Sequence, residues 1–339
     1  MATARQKETG KGGVVRRIRY LPLETTMPEG GPGGLVEVTI RTIAAMLLCR
    51  PSERLNQRIL GVMGRALALY PVALHAFVFM SNHWHALLTT PDGETLARFV
   101  QHVNSNVAKA IKEETGWTGR VWQRRAANIA VLDDDAAEDR LRYVLAHGVK
   151  EGLVERSEDW PGVNCVSALL GKERLVGRWA TKKGRKRVVE TYFIDLAPLP
   201  GWRVLREEQR LHRVRRLLAG IQRDAAAARG EAPALGRAAV LAQDPLDRPT
   251  RSKHGAAPPC HTTERHRRDA FKAGREYLCA AYAAARERRW RREHEAPAFP
   301  AGCFPSPPRF VAPIDPAVVA DRRARVLAAH QRTRWQPTA

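Results

Sequence analysis

From Leu35 to Thr42 apolar and polar residues alternate as Leu35-Val36-Glu37-Val38-Thr39-Ile40-Arg41-Thr42, and the β-branched content completes the pattern of a half-buried strand. The period then becomes helical. Ser52 is placed to cap a helix whose apolar positions Leu55, Ile59, Leu60, Met63 and Leu67 share one face, and Pro51 closes off what precedes it. Val72 to Met80 is the most apolar short run of the chain, and His83 to Thr89 follows it as a second strand. Successive strand side chains point to opposite faces, so His83 and His85 share one face while Trp84, Ala86 and Leu88 take the other. Asp92 caps the next helix, with Leu96, Phe99, Val100, Val103, Val107 and Ile111 at helical spacing. The opposite face of that helix carries Gln101, Asn104, Asn106 and Lys109.

A basic segment, Val121-Trp122-Gln123-Arg124-Arg125, then leads into a strand at Asn128 to Val131. Asp133-Asp134-Asp135 places acidic groups at the positive end of a helix whose apolar stripe is Ala137, Leu141, Val144, Leu145 and Gly148. The order strand, helix, strand, strand, helix, strand, helix is the ferredoxin-like split pattern, an α+β class with an antiparallel sheet. Residues 1–15 read as a flexible basic arm and Glu24 to Gly34 as a second loose stretch.

Beyond Trp160-Pro161-Gly162 the character changes. Lys182-Lys183-Gly184-Arg185-Lys186-Arg187 is a dense basic cluster, expected to touch phosphate. Two long Ala/Arg-rich helices are expected over Trp202 to Ala227 and Glu264 to Arg292, around an irregular region from Asp244 to Pro259, and a short one over Pro316 to Arg332. Residues 176–339 therefore form a basic, mainly helical C-terminal extension with no legible motif of its own.

Composition narrows the partner. The 339 residues are 44% hydrophobic, enough for a real core, and carry a net charge of +22. A surplus of that size points to a polyanion, and nucleic acid is the favoured one. The five scattered cysteines, Cys49, Cys165, Cys260, Cys279 and Cys303, show no Cys-x-x-Cys pair and argue against a zinc ribbon or a disulfide framework. No apolar run approaches a membrane span and none follows a charged start as a leader would, so a reducing cytoplasm is the expected location.

The candidate chemistry lies in two places. His83 and His85 on one strand face make half of a metal site. Tyr143 and His147, four apart and off the apolar stripe, sit one above the other on their helix. A third imidazole and a phenol one turn apart suit metal-assisted phosphoryl transfer to a tyrosine.

In their order and spacing, three motifs resemble those of the single-tyrosine HUH transposases, and of their REP-associated tyrosine transposase branch in particular. They are Ser81-Asn82-His83-Trp84-His85, Val121-Trp122-Gln123-Arg124-Arg125, and the stretch from Tyr143 through Val149-Lys150-Glu151-Gly152-Leu153-Val154 to Asp159-Trp160-Pro161. The resemblance covers roughly residues 15 to 175 and implies an HUH transposase domain over 16–175 with the ferredoxin-like fold. It implies that Tyr143 is the nucleophile and that His83, His85 and His147 hold Mg²⁺ or Mn²⁺. Three imidazoles on their own would suit zinc as well or better. His147 stands where relatives often carry Gln or Asn, and Ala126 where an aromatic often follows the arginine pair.

The implied reaction is attack of Tyr143 on a scissile phosphate of single-stranded, hairpin-containing DNA. It displaces a 3′-hydroxyl and leaves a 5′-phosphotyrosine that another 3′-hydroxyl can resolve. Trp122, Gln123, Arg124, Arg125 and Lys150, together with Lys182, Lys183, Arg185, Lys186 and Arg187, are the candidate DNA contacts. No membrane partner is expected, and the resemblance leaves monomer and homodimer open. The competing readings are a domesticated protein that binds hairpin DNA without cutting it, and a nucleic-acid-binding protein with a structural zinc site; the missing fourth ligand counts against the latter.

Overall fold

The computed structural model describes residues 20–183, 186–249, 258–291 and 299–300, apart from the side chains of 182–187 and 290. The arm at 1–15 and the short helix expected at 316–332 lie outside them. The architecture is α+β, with a mixed sheet of six strands: β1 (Thr25–Thr26), β2 (Pro32–Arg41), β3 (Ala73–Phe79), β4 (His83–Thr90), β5 (Ala127–Val131) and β8 (Cys260–His261). Their order is β3-β4-β2-β5-β8, with β1 paired to β2. All pairs are antiparallel except β5 with β8, which run parallel.

The helices begin where their capping residues stand. Ser52 accepts from Leu55 N–H at 3.1 Å at the head of α1 (Glu53–Leu69), Asp92 from Thr95 N–H at 2.7 Å at α2 (Gly93–Thr115), and Asp133 from Ala136 N–H at 2.7 Å at α3 (Asp134–Leu145). A capping side chain satisfies one of the otherwise orphaned amides of a first helical turn. The helix carrying Tyr143 stops at Leu145, and a short turn, α4 (His147–Lys150), resumes after Ala146.

The two faces of β4 meet different layers. Trp84, fully buried and stacked on Phe79 at 5.3 Å, donates its indole N–H to Asn104 Oδ1 of α2 at 3.0 Å. The α1 and α2 helices are joined by Ser52 Oγ donating to Glu114 at 2.6 Å and by an Arg58–Glu113 ion pair. The opposite face, with His83 and His85, meets α3 and α4.

Three features differ from the sequence reading. The stretch Glu24 to Gly34 is not loose: β1 turns back onto β2 and Met27 is buried. The chain on either side of the basic cluster is not helical: Leu175–Lys183 (β6) and Lys186–Ile194 (β7) form a two-stranded antiparallel sheet, paired from Leu175↔Ile194 to Lys183↔Lys186. Exposure alternates along both strands, but the sequence does not show it, because apolar Val176 and Val189 stand on the exposed face. The third feature is β8, two residues of the C-terminal extension that join the edge of the main sheet. The helices expected in that extension form as α6 (Glu207–Arg229) and α8 (Arg265–Trp290), with α5 (Val166–Leu169) before the hairpin and a short α7 (Arg237–Ala242) between them.

The hairpin rests on α1 through bare backbone. A β-carbon on Gly61 would meet the Arg178 carbonyl oxygen at 2.2 Å, and one on Gly177 would meet that of Leu60 at 2.2 Å. Arg65 closes the contact by donating to Glu190 at 2.9 Å. Gly61→Ala is therefore expected to push the hairpin off α1 and to destabilise the fold by about 1–3 kcal/mol, the usual cost of overpacking. Chemical denaturation reads this directly, and a midpoint equal to wild type would mean that the hairpin does not pack in this way.

Candidate active site

Alternation on β2 and β4 brings the site's polar groups to one face. The register pairs His83 with Arg41, His85 with Thr39 and Leu87 with Glu37, so Glu37, Thr39 and Arg41 share the face of the two histidines. On the covering layer, α3 and α4 supply Arg140, Tyr143, His147 and Lys150. His83, His85 and His147 each offer a ring nitrogen, and these lie within 4.8 Å of one another. Ring centroids are 5.2 Å apart for His83–His85, 5.2 Å for His83–His147 and 4.3 Å for His85–His147. The Tyr143 ring stands 4.6 Å from His147 and 5.5 Å from His85, edge-on to both.

Each imidazole is oriented through Nδ1. His83 Nδ1 meets Asn82 Oδ1 at 2.6 Å, His85 Nδ1 meets Glu37 Oε1 at 2.8 Å, and His147 Nδ1 meets the backbone carbonyl of Tyr143 at 2.8 Å. All three partners are acceptors, so each Nδ1 carries the proton and each Nε2 lone pair is left to coordinate. The break at Ala146 serves this purpose, because carbonyls in the last turn of a helix have no amide partner and Tyr143 offers its own to His147. With Nδ1 protonated, Thr39 Oγ1 donates to His85 Nε2 at 3.2 Å, a weak bond that a metal ion at this nitrogen would replace.

Charge reinforces the arrangement. Burial pushes all three histidines below the ordinary imidazole value, His83 and His147 well below it. Their mutual repulsion and the Lys150 charge add to this, while Glu37 partly offsets it at His85. Neutral imidazoles are the form that binds metal. The Glu37 side chain is 3% exposed. Burial pushes its carboxyl up, but contacts from His261 and His85 outweigh burial and hold it well below the usual carboxylate range.

Tyr143 is half-buried, and burial followed by the Glu37 charge raises its phenol, with Arg140 and Arg41 pulling the other way. Lys150 Nζ sits 3.6 Å from the ring centroid and the Arg140 guanidinium 4.7 Å from it. Two cations against one ring make an electropositive seat for both a phenolate and a phosphate. A cleft of about 580 Å³ opens beside Tyr143 and is walled on its far side by Ile221, Asp224, Ala225, Ala228 and Arg229 of α6.

The donor set fits a divalent ion with an open position. Structural zinc sites are closed by four protein ligands, whereas catalytic sites keep three and leave the fourth position to solvent or substrate. Among the described residues, no fourth histidine, cysteine or carboxylate joins the three histidines. The group can hold a metal ion, and neutral imidazole donors do not by themselves select Mg²⁺, Mn²⁺ or Zn²⁺.

No protein-family model matches the chain, and no curated protein does. Among solved structures, that of a REP-associated tyrosine transposase bound to a REP hairpin is similar to 45% of this chain and 84% of that one, at 19% identity and a TM-score of 0.33.

The remaining candidate contacts scatter. Trp122 is half-buried and pinned by its indole N–H to the Asn104 carbonyl at 2.8 Å, a position that suits packing better than stacking on a base. Gln123, Arg124 and Arg125 are exposed beside it. The Lys182, Lys183, Lys186 and Arg187 backbones belong to the hairpin, while their side chains and the whole of Arg185 lie outside the described residues. Sequence reasoning missed Glu37, Thr39, Arg41, Arg140 and His261. For the first three the signal was present: they are the polar half of an alternating strand, and that half faces the site instead of solvent.

Proposed function

We propose that this protein is a DNA strand-cleaving and strand-joining enzyme of the HUH single-tyrosine type, acting on single-stranded, hairpin-containing DNA through a 5′-phosphotyrosine. The observation that carries the reading is the packing of Tyr143 against His85 and His147 within a three-histidine cluster. The strand order β3-β4-β2-β5, with α1 and α2 as the two crossovers, supports the ferredoxin-like arrangement expected for such a domain.

His83, His85 and His147 would hold Mg²⁺ or Mn²⁺, which when bound supplies Lewis-acid polarisation of a non-bridging phosphate oxygen. The protein's own groups account for the rest. Arg140 and Lys150, lying over the Tyr143 ring, offset the negative charge that grows on the phenol oxygen as its proton is lost to solvent. The same cations and Arg41 attract the phosphate and orient it for in-line attack. The Tyr143 Oη–P bond forms as the P–O3′ bond breaks, and the leaving 3′-oxygen takes a proton from solvent. Because one phosphoester replaces another, an incoming 3′-hydroxyl can reverse the step on a new strand without an external energy source. The net charge of +22 provides the long-range attraction to DNA.

The test is direct. Full-length protein incubated with single-stranded hairpins from the DNA flanking its gene, with Mg²⁺ or Mn²⁺, is expected to form a protein–DNA adduct that survives denaturing electrophoresis. Tight hairpin binding with neither adduct nor cleavage across those substrates would overturn the reading in favour of a non-catalytic binding protein. Stoichiometric zinc retained through purification would favour a structural site.

A further inference from the structure

One carboxylate beneath the histidine cluster is approached from both sides: His85 hydrogen-bonds one oxygen, and a histidine of the C-terminal extension lies close to the other. Glu37 Oε1 lies 2.8 Å from His85 Nδ1 and Glu37 Oε2 lies 2.7 Å from His261 Nε2, with Arg140 at 3.8 Å from the latter oxygen. The His261 side chain is 13% exposed, and its buried Nε2 makes no aligned hydrogen bond among the described residues, so its approach to Glu37 is a close polar contact that a small ring rotation turns into a bond. The register Val131↔His261 on β5 and β8, with Ile129↔Glu37 on β5 and β2, puts His261 on the sheet face that carries the site.

The strand that delivers His261 is fastened at several points. Leu132 N–H donates to the His261 carbonyl at 3.0 Å, and Arg267 donates to the Leu132 carbonyl at 3.0 Å. Asp133 accepts from Thr262 Oγ1 at 2.5 Å, from Thr263 N–H at 2.9 Å and from Thr263 Oγ1 at 3.1 Å. Asp133 is also the cap of α3. The segment from Cys260 to Glu264 is thus tied both to the sheet edge and to the head of the helix that carries Tyr143.

We propose that His261 is a positioning residue of the metal centre, clamping Glu37 so that Glu37 in turn fixes the ring and tautomer of His85. The inference rests on the reading of His83, His85 and His147 as metal ligands. A carboxylate bonded at one oxygen alone can turn about its last torsion; a polar group packed 2.7 Å from the other oxygen narrows that turn, and with it the orientation of the imidazole the carboxylate accepts from. Partners of this kind behind a ligating histidine typically change metal affinity by roughly 10- to 100-fold.

The experiment measures Mn²⁺ and Co²⁺ binding by full-length protein, using calorimetry and the Co²⁺ absorption bands, with circular dichroism melting as the check on folding. His261→Ala is expected to weaken metal binding by roughly 10-fold and to alter the Co²⁺ spectrum. His261→Gln keeps an N–H donor and is expected to restore most of the affinity. Thr263→Ala loosens the attachment of β8 to Asp133 without touching Glu37 and is expected to bind metal as wild type does.

Unchanged affinity in His261→Ala overturns the proposal, and so does an equal loss in Thr263→Ala, which would mean that β8 acts by docking alone. If His261→Ala does not fold, the Gln and Thr263 variants decide in the same way. DNA cleavage is scored separately. His261-dependent metal binding in a protein that cuts no hairpin overturns the strand-transfer reading and leaves this proposal standing.

Discussion

Tyr143→Phe is expected to abolish strand cleavage while leaving the fold and hairpin binding unchanged. The substitution removes one oxygen. What holds the ring is retained: the edge contacts with His85 and His147 and the overlying Lys150 and Arg140 all involve the ring itself. Among the described residues no hydrogen bond fixes the phenol oxygen, so the change leaves no buried donor or acceptor unmatched. Loss of the nucleophile should lower cleavage by at least roughly 10³-fold, since no neighbouring group can form the same covalent intermediate. Peptide mapping of the wild-type adduct should place the DNA on Tyr143. An adduct on another tyrosine would sink the assignment, and wild-type cleavage by the variant would remove Tyr143 from the mechanism.

The second large effect concerns the ligands. His85→Ala and His147→Ala are expected to lose metal-dependent cleavage on the order of 10³-fold, about 4 kcal/mol, while keeping most of their hairpin affinity. A cation that acts on charge developing in the transition state contributes little to ground-state binding. The two variants should differ in stability. His85→Ala strips an N–H donor from a buried carboxylate, which costs roughly 1–3 kcal/mol, whereas His147→Ala frees only a carbonyl at a helix end. His147→Ala should also be the milder in catalysis, because water can take one ligand position of a three-histidine site. Cleavage by His85→Ala equal to wild type in Mn²⁺ would separate the histidine cluster from the reaction.

The helix starts were legible because a capping signal is local: Ser52, Asp92 and Asp133 each accept from an amide three residues on, as their positions before apolar helical runs implied. The hairpin of residues 175–194 was not legible. Its strands carry apolar residues on both faces, and its burial against α1 depends on Gly61 and Gly177, which look unremarkable until the two backbones are brought together.

At the site the division is sharper. Alternation along β2 and β4 determined, from sequence alone, that Glu37, Thr39 and Arg41 share one face and that His83 and His85 share one face, because the strand period of two allows nothing else. The 3.6-residue period likewise put Tyr143 beside His147. Only the tertiary structure decided that these faces are the same face, that it is closed over by α3 and α4, and that the polar half of β2 points into the site. The pairing of β2 with β4 and of β5 with β8 joins segments far apart in the chain, and no local spacing encodes which strands become neighbours. That is why Glu37 read as a solvent-facing residue of an amphipathic strand, and why His261, alone in a basic extension, carried no signal until β8 brought it to within 2.7 Å of Glu37.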